Sequence, residues 1–296
     1  MENSKLIYLV DDDQDDLLLM KEALKMVMQD VDIVEFNDGK ELLDFIILQK
    51  EEHKPALILM DINMPRVNGL EALHALKLNL KLQDIPIVII STSSDQQQIR
   101  QAYKQGVSAF ITKPVSIKDY RLVAHAIIAC YLNHYRSIES MIVSQDKFRD
   151  KSILVIEDNA DQWELMRHSL KISLPDMGII RMRDRMSTLD YLTHQWNVLK
   201  RPPELIILDL YLPTRREGLN LLDSINYFFI IHRLPPVPVI IFSSSESRED
   251  IKLCYQHRAN AYFVKSLDLN QSYSFLETVC HFWWNTISLP KKLAAY

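Results

Sequence analysis

Two stretches of this chain run from apolar residues straight into paired acids. "LIYLVDDDQDD" presents Asp11 and Asp12, and "SILVIEDNADQ" presents Glu157 and Asp158. Downstream of each, another apolar run ends on an aspartate: Asp61 in "LILMDINMP" and Asp209 in "LIILDLYLP". A hydroxyl then closes "IVIIS" at Ser91 and "VIIFS" at Ser243, and a lysine follows "AFIT" at Lys113 and "AYFV" at Lys265. Three carboxylates sharing one cleft raise one another's pKa unless a cation compensates. Mg²⁺, a hard ion that keeps several waters, suits such a carboxylate set. A lysine adds a point charge for an anion, and a serine adds a hydroxyl hydrogen bond. Acids, hydroxyl and lysine around one divalent ion suit phosphoryl transfer, in which the protein mainly positions groups and neutralises charge.

That chemistry requires a fold that gathers residues some fifty positions apart. The chain repeats itself in order: "KLIYLVDDDQDDLLLMKEAL" returns as "KSILVIEDNADQWELMRHSL", "PALILMDINMPRVNGLEAL" as "PELIILDLYLPTRREGLNLL", "IPIVIISTSSD" as "VPVIIFSSSES", and "GVSAFITKPVS" as "NAYFVKSLD" with its flank. Each copy alternates short apolar runs with helical patterns. Strands are expected near 6–10, 31–36, 56–60, 87–91 and 109–112, and near 152–156, 179–182, 205–208, 239–242 and 261–264. Helices are expected near 14–28, 39–49, 69–80, 96–105 and 117–135, and near 161–172, 187–199, 219–228, 248–256 and 269–287. Continuous Val/Ile/Leu runs suit strands covered on both faces, and alternating β and α implies a parallel sheet between helices. Such sheets bind ligands at the carboxyl ends of their strands. The acids, serines and lysines stand at those ends.

Composition excludes several classes. The chain has 296 residues, enough for two domains, with 48% hydrophobic and 25% charged residues. Its three cysteines are scattered and its nine histidines form no ligand pattern, which suits a reducing compartment. No run approaches a membrane span and no signal-peptide pattern opens the chain, so a cytoplasmic protein is expected. Residues 1–150 carry net charge −6 and residues 151–296 carry +1. Neither has the basic excess of a nucleic-acid grip.

Taken together, "VDDD", "MDINMP..NG", "IPIVIIST" and "FITKP" resemble receiver domains of two-component response regulators, and the second half resembles them too. "DDDQDD" and "EDNADQ" are similar to the "EDNPDD" form found in regulators paired with bacterial phytochromes and related hybrid kinases. The resemblance spans nearly the whole chain. It implies two CheY-like, flavodoxin-like doubly wound (βα)5 domains, each with a parallel sheet of order 2-1-3-4-5, at 1–136 and 151–296. The stretch between them, 137–150, lacks Pro and Gly and reads as a partly helical connector. The resemblance implies that Asp61 and Asp209 accept a phosphoryl group from a phosphohistidine. Asp12, Asp61 and the carbonyl of Asn63 would hold Mg²⁺ directly and Asp11 through water; Asp158, Asp209, the carbonyl of Tyr211 and Glu157 are their counterparts. Ser91 with Thr92 and Lys113, and Ser243 with Ser244 and Lys265, would line the phosphoryl oxygens. Phe110 and Tyr262 stand where the family has its switch aromatic.

The second copy departs from the pattern. "KS" replaces "KP", and a cis Lys265–Ser266 bond, the form the family's Lys-Pro bond usually takes, would cost about 2.5–4 kcal/mol. "LPTRREGLN" is one residue longer than "MPRVNGLE" between proline and glycine, and it brings two arginines and a glutamate to the rim. "FFIIHRLPPVPV" lengthens the approach to strand 4. In the first copy Thr92 stands where receivers carry a smaller residue, and its bulk is expected to slow dephosphorylation.

Plainer readings compete at several places. Asp13, Asp15 and Asp16 read as a helix start favoured by the helix dipole. Phe110 and Tyr262 read equally well as packing residues. "SYSFLETVCHFWWNTISL" reads as a core-facing helix whose adjacent Trp283 and Trp284 point in two directions; the final helix of the first copy has room for an interface.

The expected function is a response regulator with two receivers and no output domain. It would take phosphate from a sensor histidine kinase or a histidine phosphotransfer protein and signal by protein contacts or relay to a downstream protein the sequence does not identify. Nucleic acid and membrane are not expected partners, and a homodimer through the helix 4–strand 5–helix 5 faces is one option. A second option is that only Asp61 is phosphorylated and the second copy serves as a pseudo-receiver for dimerisation or partner binding. An aspartate-based phosphatase is disfavoured, because such enzymes commonly place a general acid two residues after the nucleophile, where this chain has Asn63 and Tyr211.

Overall fold

A computed structural model describes residues 5–48, 54–132, 148–199, 201–265, 276 and 279–290. Two compact units divide the chain: Met1–Tyr135 together with Trp284–Tyr296, and Arg136–Trp283. The last stretch of sequence, expected within a second domain of 151–296, therefore groups with the first unit. The connector at 137–147, Ser266 and most of the expected last helix lie outside the described residues.

The first unit runs β1 (Lys5–Val10), α1 (Gln14–Val27), β2 (Val31–Phe36), α2 (Gly39–Leu48), β3 (Leu57–Met60), α3 (Gly69–Leu78), β4 (Ile87–Ser91), α4 (Gln96–Gln105), β5 (Ala109–Thr112) and α5 (Ile117–Leu132). Its strands are parallel, in the order β2-β1-β3-β4-β5. Every residue of β3 and β4 is buried, as the unbroken apolar runs required for strands covered on both faces. The order reverses direction between β1 and β3, which opens a crevice at their carboxyl ends. Tyr8, Phe36 and Phe45 pack edge to face in the core beside it.

Local chemistry starts and stops the helices. Asp13 caps α1 by accepting from the amides of Asp15 and Asp16. Asn68 and Glu71 form a reciprocal capping box on α3. Gly106 ends α4 in the left-handed region at φ 92°, where a residue with a Cβ is strained. From Ala126 to Leu132 every residue of α5 is buried, so this helix is covered all round rather than along one stripe.

The outer edge of β5 is also paired. Ile287 forms an antiparallel bridge with Ile111, and the Ser288 amide donates to the Phe110 carbonyl at 2.7 Å. This pairing joins Ile287 and Ser288 to the first unit. Pairing also removes an open edge, the usual template for unwanted strand addition.

The second unit runs β6 (Ser152–Ile156), α6 (Ala160–Ser173), β7 (Gly178–Met182), α7 (Arg185–Asp190), β8 (Leu205–Leu208), α8 (Arg215–Ile231), β9 (Val239–Ser243), α9 (Arg248–Gln256) and β10 (Ala261–Val264). Its sheet has the same topology, β7-β6-β8-β9-β10. Two helices differ from expectation. Helix α8 starts at Arg215 rather than Leu219, because the Thr214 hydroxyl caps it by accepting from the Glu217 amide. The longer loop is thus partly absorbed as an extra helical turn. Helix α7 is short and passes into a π turn at Tyr191–Gln195 and a 3₁₀ turn at Trp196–Val198, where Trp196 packs on Phe228 and Phe229. Trp283 is buried, Trp284 partly so, within or beside a second π turn at Phe282–Thr286.

Among the described residues the cis peptide bond is Leu212–Pro213; Lys113–Pro114 is not cis, unlike the bond the resemblance implies. No helix of the described residues is long and apolar enough to cross a membrane.

Candidate functional site

In the first unit, β1, β3, β4 and β5 deliver their terminal side chains into one crevice. The Asp61 amide donates to the Val10 carbonyl at 2.9 Å, and the Asp11 amide to the Phe36 carbonyl at 3.0 Å. The sheet ladder thus runs up to the acids themselves. Asp11, Asp12 and Asp61 each offer a carboxylate oxygen within 4.8 Å of the others. Asp11 and Asp61 are buried, while Asp12 is exposed. The Ile62 amide donates to Asp61 Oδ1 at 2.6 Å, which orients the carboxylate and leaves Oδ2 facing the crevice lysine.

Lys113 is that lysine. Its Nζ lies 2.8 Å from Asp11, 3.1 Å from Asp61 and 2.7 Å from Asp16, with the side chain only 7% exposed. Burial alone would lower its pKa, but hydrogen bonds to Asp11 and Asp16 and the charge of Asp61 outweigh burial and raise it. Asp11 is raised as well, which for a carboxylate favours the neutral form. Burial, helped by the Asp61 charge, pushes it up to about 6 despite its bonds to Lys113 and the Asp13 amide.

Ser91 is fully buried at the end of β4, and its Oγ accepts from the Ser93 amide at 3.4 Å. Asn63 is exposed at the mouth and reaches Ser91 Oγ at 3.5 Å through its side-chain amide. Thr92 is exposed on the same loop, and Phe110 is fully buried on β5.

The second unit repeats the arrangement with changes. Glu157, Asp158 and Asp209 gather their carboxylates within the same 4.8 Å. Lys265 Nζ lies 2.8 Å from Glu157 and 3.2 Å from Asp209, and it also bonds the Gln162 side-chain carbonyl. Burial raises both Glu157 and Asp209, against the lowering influence of Lys265. Ser243 is fully buried, Ser244 exposed, and Tyr262 buried with its hydroxyl donating to the Ser245 carbonyl at 2.8 Å. Tyr211 is 40% exposed at the mouth.

Sequence reasoning missed Asp16. Read as a helix starter, it instead holds Lys113 and accepts from the Tyr120 hydroxyl at 2.7 Å, and these bonds lower its pKa although burial opposes them. Gln162 takes its place in the second unit. The hint in the sequence was that Asp16 and Gln162 occupy the same position of the repeat, five residues past the first acid of each.

Chemically, each crevice offers a carboxylate oxygen at the end of the central strand, neighbouring acids on one side and an ammonium on the other. A donor set of carboxylates alone fits a hard cation such as Mg²⁺. The lysine compensates part of the negative charge.

Comparison with known proteins gives a consistent picture. The model of the response regulator receiver domain family matches residues 7–125 and again 153–277. The chain is 32% identical over 131 residues to response regulator Rcp1 of Synechocystis sp. (strain ATCC 27184 / PCC 6803 / Kazusa), covering 43% of this chain and 89% of that protein. It is 32% identical over 119 residues to the polar-differentiation response regulator DivK of Brucella anthropi, covering 39% of this chain and 89% of that one. Among solved structures, the Mn(2+)-bound form of Rcp1 matches at 31% identity and TM-score 0.40, covering 45% of this chain and 97% of that chain. Since the family pattern recurs in both halves, each on a sheet of the same topology, the chain belongs to the response regulator receiver family and carries its domain twice.

Proposed function

We propose that this chain is a two-component signalling protein whose first receiver takes a phosphoryl group on Asp61 from a sensor histidine kinase or a histidine phosphotransfer protein. The observation that carries the reading is the Asp61 carboxylate itself. It is 5% exposed, fixed by the Ile62 amide, and has Oδ2 3.1 Å from Lys113 beside two further acids. An Asp61 oxygen would attack phosphorus as the bond from phosphorus to the donor's histidine nitrogen breaks, and the imidazole keeps that electron pair and takes up a proton. Asp11, Asp12, Asp61 and the Asn63 carbonyl would hold Mg²⁺, which supplies charge neutralisation at the phosphoryl oxygens. Lys113 supplies a further positive charge, and Ser91 a hydroxyl for the phosphoryl oxygens. Thr92, exposed beside them, would limit access of water and slow loss of the group.

Asp209 would be the second acceptor, with Glu157, Asp158, the Tyr211 carbonyl, Ser243, Ser244 and Lys265 in the corresponding places. The output would pass through protein contacts or relay, in the cytoplasm, with Phe110 coupling the first site to the helix 4–strand 5–helix 5 surface; β5 of that surface is already paired with Ile287. That pairing argues against homodimerisation through the β5 edge.

The test is Mg²⁺-dependent labelling of the full chain with a small phosphodonor. Wild type should label, Asp61→Ala should lose most label, and the residue remaining should disappear in the double variant with Asp209→Ala. Undiminished label in the double variant would overturn the proposal.

A further inference from the structure

The two receivers are copies within one chain, so each is a control for the other. Beside the candidate acceptor of the second receiver stands a buried acid that has no counterpart in the first. Asp250, on the first turn of α9, is 2% exposed. Its Oδ2 accepts from the Tyr211 hydroxyl at 2.8 Å and from the Ser245 hydroxyl at 2.5 Å, and its Oδ1 from Arg215 at 2.8 Å. Three donors engage both oxygens of this buried carboxylate, the compensation a buried charge requires.

Those donors come from two sides of the crevice. Tyr211 follows the acceptor Asp209 by two residues, and Arg215 opens α8. Ser245 lies on the loop that carries the switch hydroxyl Ser243, whose Oγ accepts from the Ser245 amide at 3.2 Å. The Ser245 carbonyl in turn accepts from Tyr262. The acceptor loop, the switch loop and the switch aromatic are thus tied through one residue and its partner.

In the first receiver the same frame is present without the tie. Ser93 stands for Ser245, and its hydroxyl donates to Gln98, which occupies the position of Asp250. Gln98 is uncharged, Asn63 replaces Tyr211, and Phe110 replaces Tyr262 and has no hydroxyl. The arginine comes from the loop that is one residue longer in the second copy. Several sequence differences therefore converge on a single structural consequence.

We propose that Asp250 is a positioning residue that clasps Tyr211 and Arg215 to Ser245 and holds the second receiver's switch loop in one conformer whether or not Asp209 carries a phosphoryl group. This deepens the proposed function, on which its phosphoryl part rests: the first receiver responds, and the second presents a constant surface. Loss of any one of these three hydrogen bonds to a charged group should favour loop opening by about tenfold or more.

Amide hydrogen exchange on the full chain tests it, read at Ser245 and Ser247 and at Ser93 and Asp95, with Mg²⁺ and with Mg²⁺ plus beryllofluoride as the phosphoryl mimic. In wild type, beryllofluoride should slow exchange at Ser93 and Asp95 and leave Ser245 and Ser247 unchanged. Arg215→Gln and Tyr211→Phe, both at partly exposed side chains, should each speed Ser245 and Ser247 about tenfold without beryllofluoride and let beryllofluoride slow them. Arg215→Lys should restore part of the protection. The proposal is overturned if Ser245 and Ser247 already respond to beryllofluoride in wild type, or if neither variant speeds their exchange. A first receiver that ignores beryllofluoride counts against the proposed function instead; the exchange rates without beryllofluoride still judge the clasp.

Discussion

Lys113 Nζ sits 2.7 Å from Asp16 Oδ2, closer than to either Asp11 or Asp61. Asp16 therefore shares the ammonium with the acids that would otherwise keep it wholly to themselves. Replacing Asp16 by Gln, the residue at the equivalent position 162, leaves Lys113 to Asp11 and Asp61, where it competes with a cation. It also removes one negative charge from the neighbourhood. Both effects weaken Mg²⁺ binding by the first receiver, by about tenfold or roughly 1.4 kcal/mol. Calorimetric titration of the Asp16→Gln protein measures this, with Asp16→Glu expected to retain most of the affinity. An unchanged affinity in Asp16→Gln would show that Asp16 does no more than tether the helix start.

Much of the fold was legible because most of the strands are apolar runs bounded by polar residues. Val31–Phe36, Ile87–Ser91, Ala109–Thr112, Ser152–Ile156, Leu205–Leu208 and Ala261–Val264 begin and end where the pattern does. The acids at their ends could be read from the same pattern, since a charge following a buried run marks the strand's exit. Contacts carried by helix side chains were less visible. Asp16 looks like any first-turn acid, and only the tertiary packing of α1 near α5 brings it to Lys113 and Tyr120. Asp250 was hidden for the same reason: its partners Tyr211, Arg215 and Ser245 lie 39, 35 and 5 positions before it in sequence. The β5 edge partner was invisible because nothing in "TISL" specifies which sheet it joins.

The elevated Asp11 pKa fixes a pH dependence. An unfolded Asp titrates near 3.9, and this one, mainly through burial, is pushed up to about 6. Between those values the folded protein holds a proton that the unfolded chain has released. The contribution of this group to stability is thus fully present below the unfolded value and lost as pH rises through about 6. A cation needs the ionised form, so Mg²⁺ affinity runs the opposite way and rises with pH across the same window. Titrations at pH 5 and pH 7 should differ by about tenfold in favour of pH 7, and the gain in melting temperature from Mg²⁺ should be larger at pH 7. Equal affinities at the two pH values would refute the assignment.

Gly69 is held against the acceptor loop by lack of a side chain. A Cβ there would lie 2.1 Å from the Asp61 carbonyl oxygen and 2.9 Å from the Asp61 carbonyl carbon, both backbone atoms that cannot swing aside. Gly69→Ala must therefore move α3 or Asp61 itself. It should lower stability by about 1–3 kcal/mol and weaken Mg²⁺ binding at the same time. Gly218→Ala should do likewise in the second receiver, where the Leu210 carbonyl oxygen would be 1.9 Å away. Urea unfolding with and without Mg²⁺ checks both, and an Ala variant as stable as wild type would mean the loop can shift freely.

The pairing of Ile287 and Ser288 with β5 places two more bonds within reach of a test. The Ser288 amide donates to the Phe110 carbonyl at 2.7 Å, and the Ser288 and Thr112 hydroxyls are 3.2 Å apart. Ile287 is 9% exposed, so its side chain is buried as well as paired. Ser288→Pro removes the donor and leaves the Phe110 carbonyl to find water, at a cost of about 1 kcal/mol. Ile287→Asp adds the penalty of placing a charge in an apolar contact. Either change also uncovers the edge of β5, and an uncovered edge recruits strands from other molecules. The expected outcome is a lower unfolding midpoint for both variants, larger for Ile287→Asp, together with concentration-dependent self-association in sedimentation velocity that wild type lacks. Variants that stay monomeric with an unchanged midpoint would mean that β5 is stable with its edge free and that this pairing contributes nothing measurable.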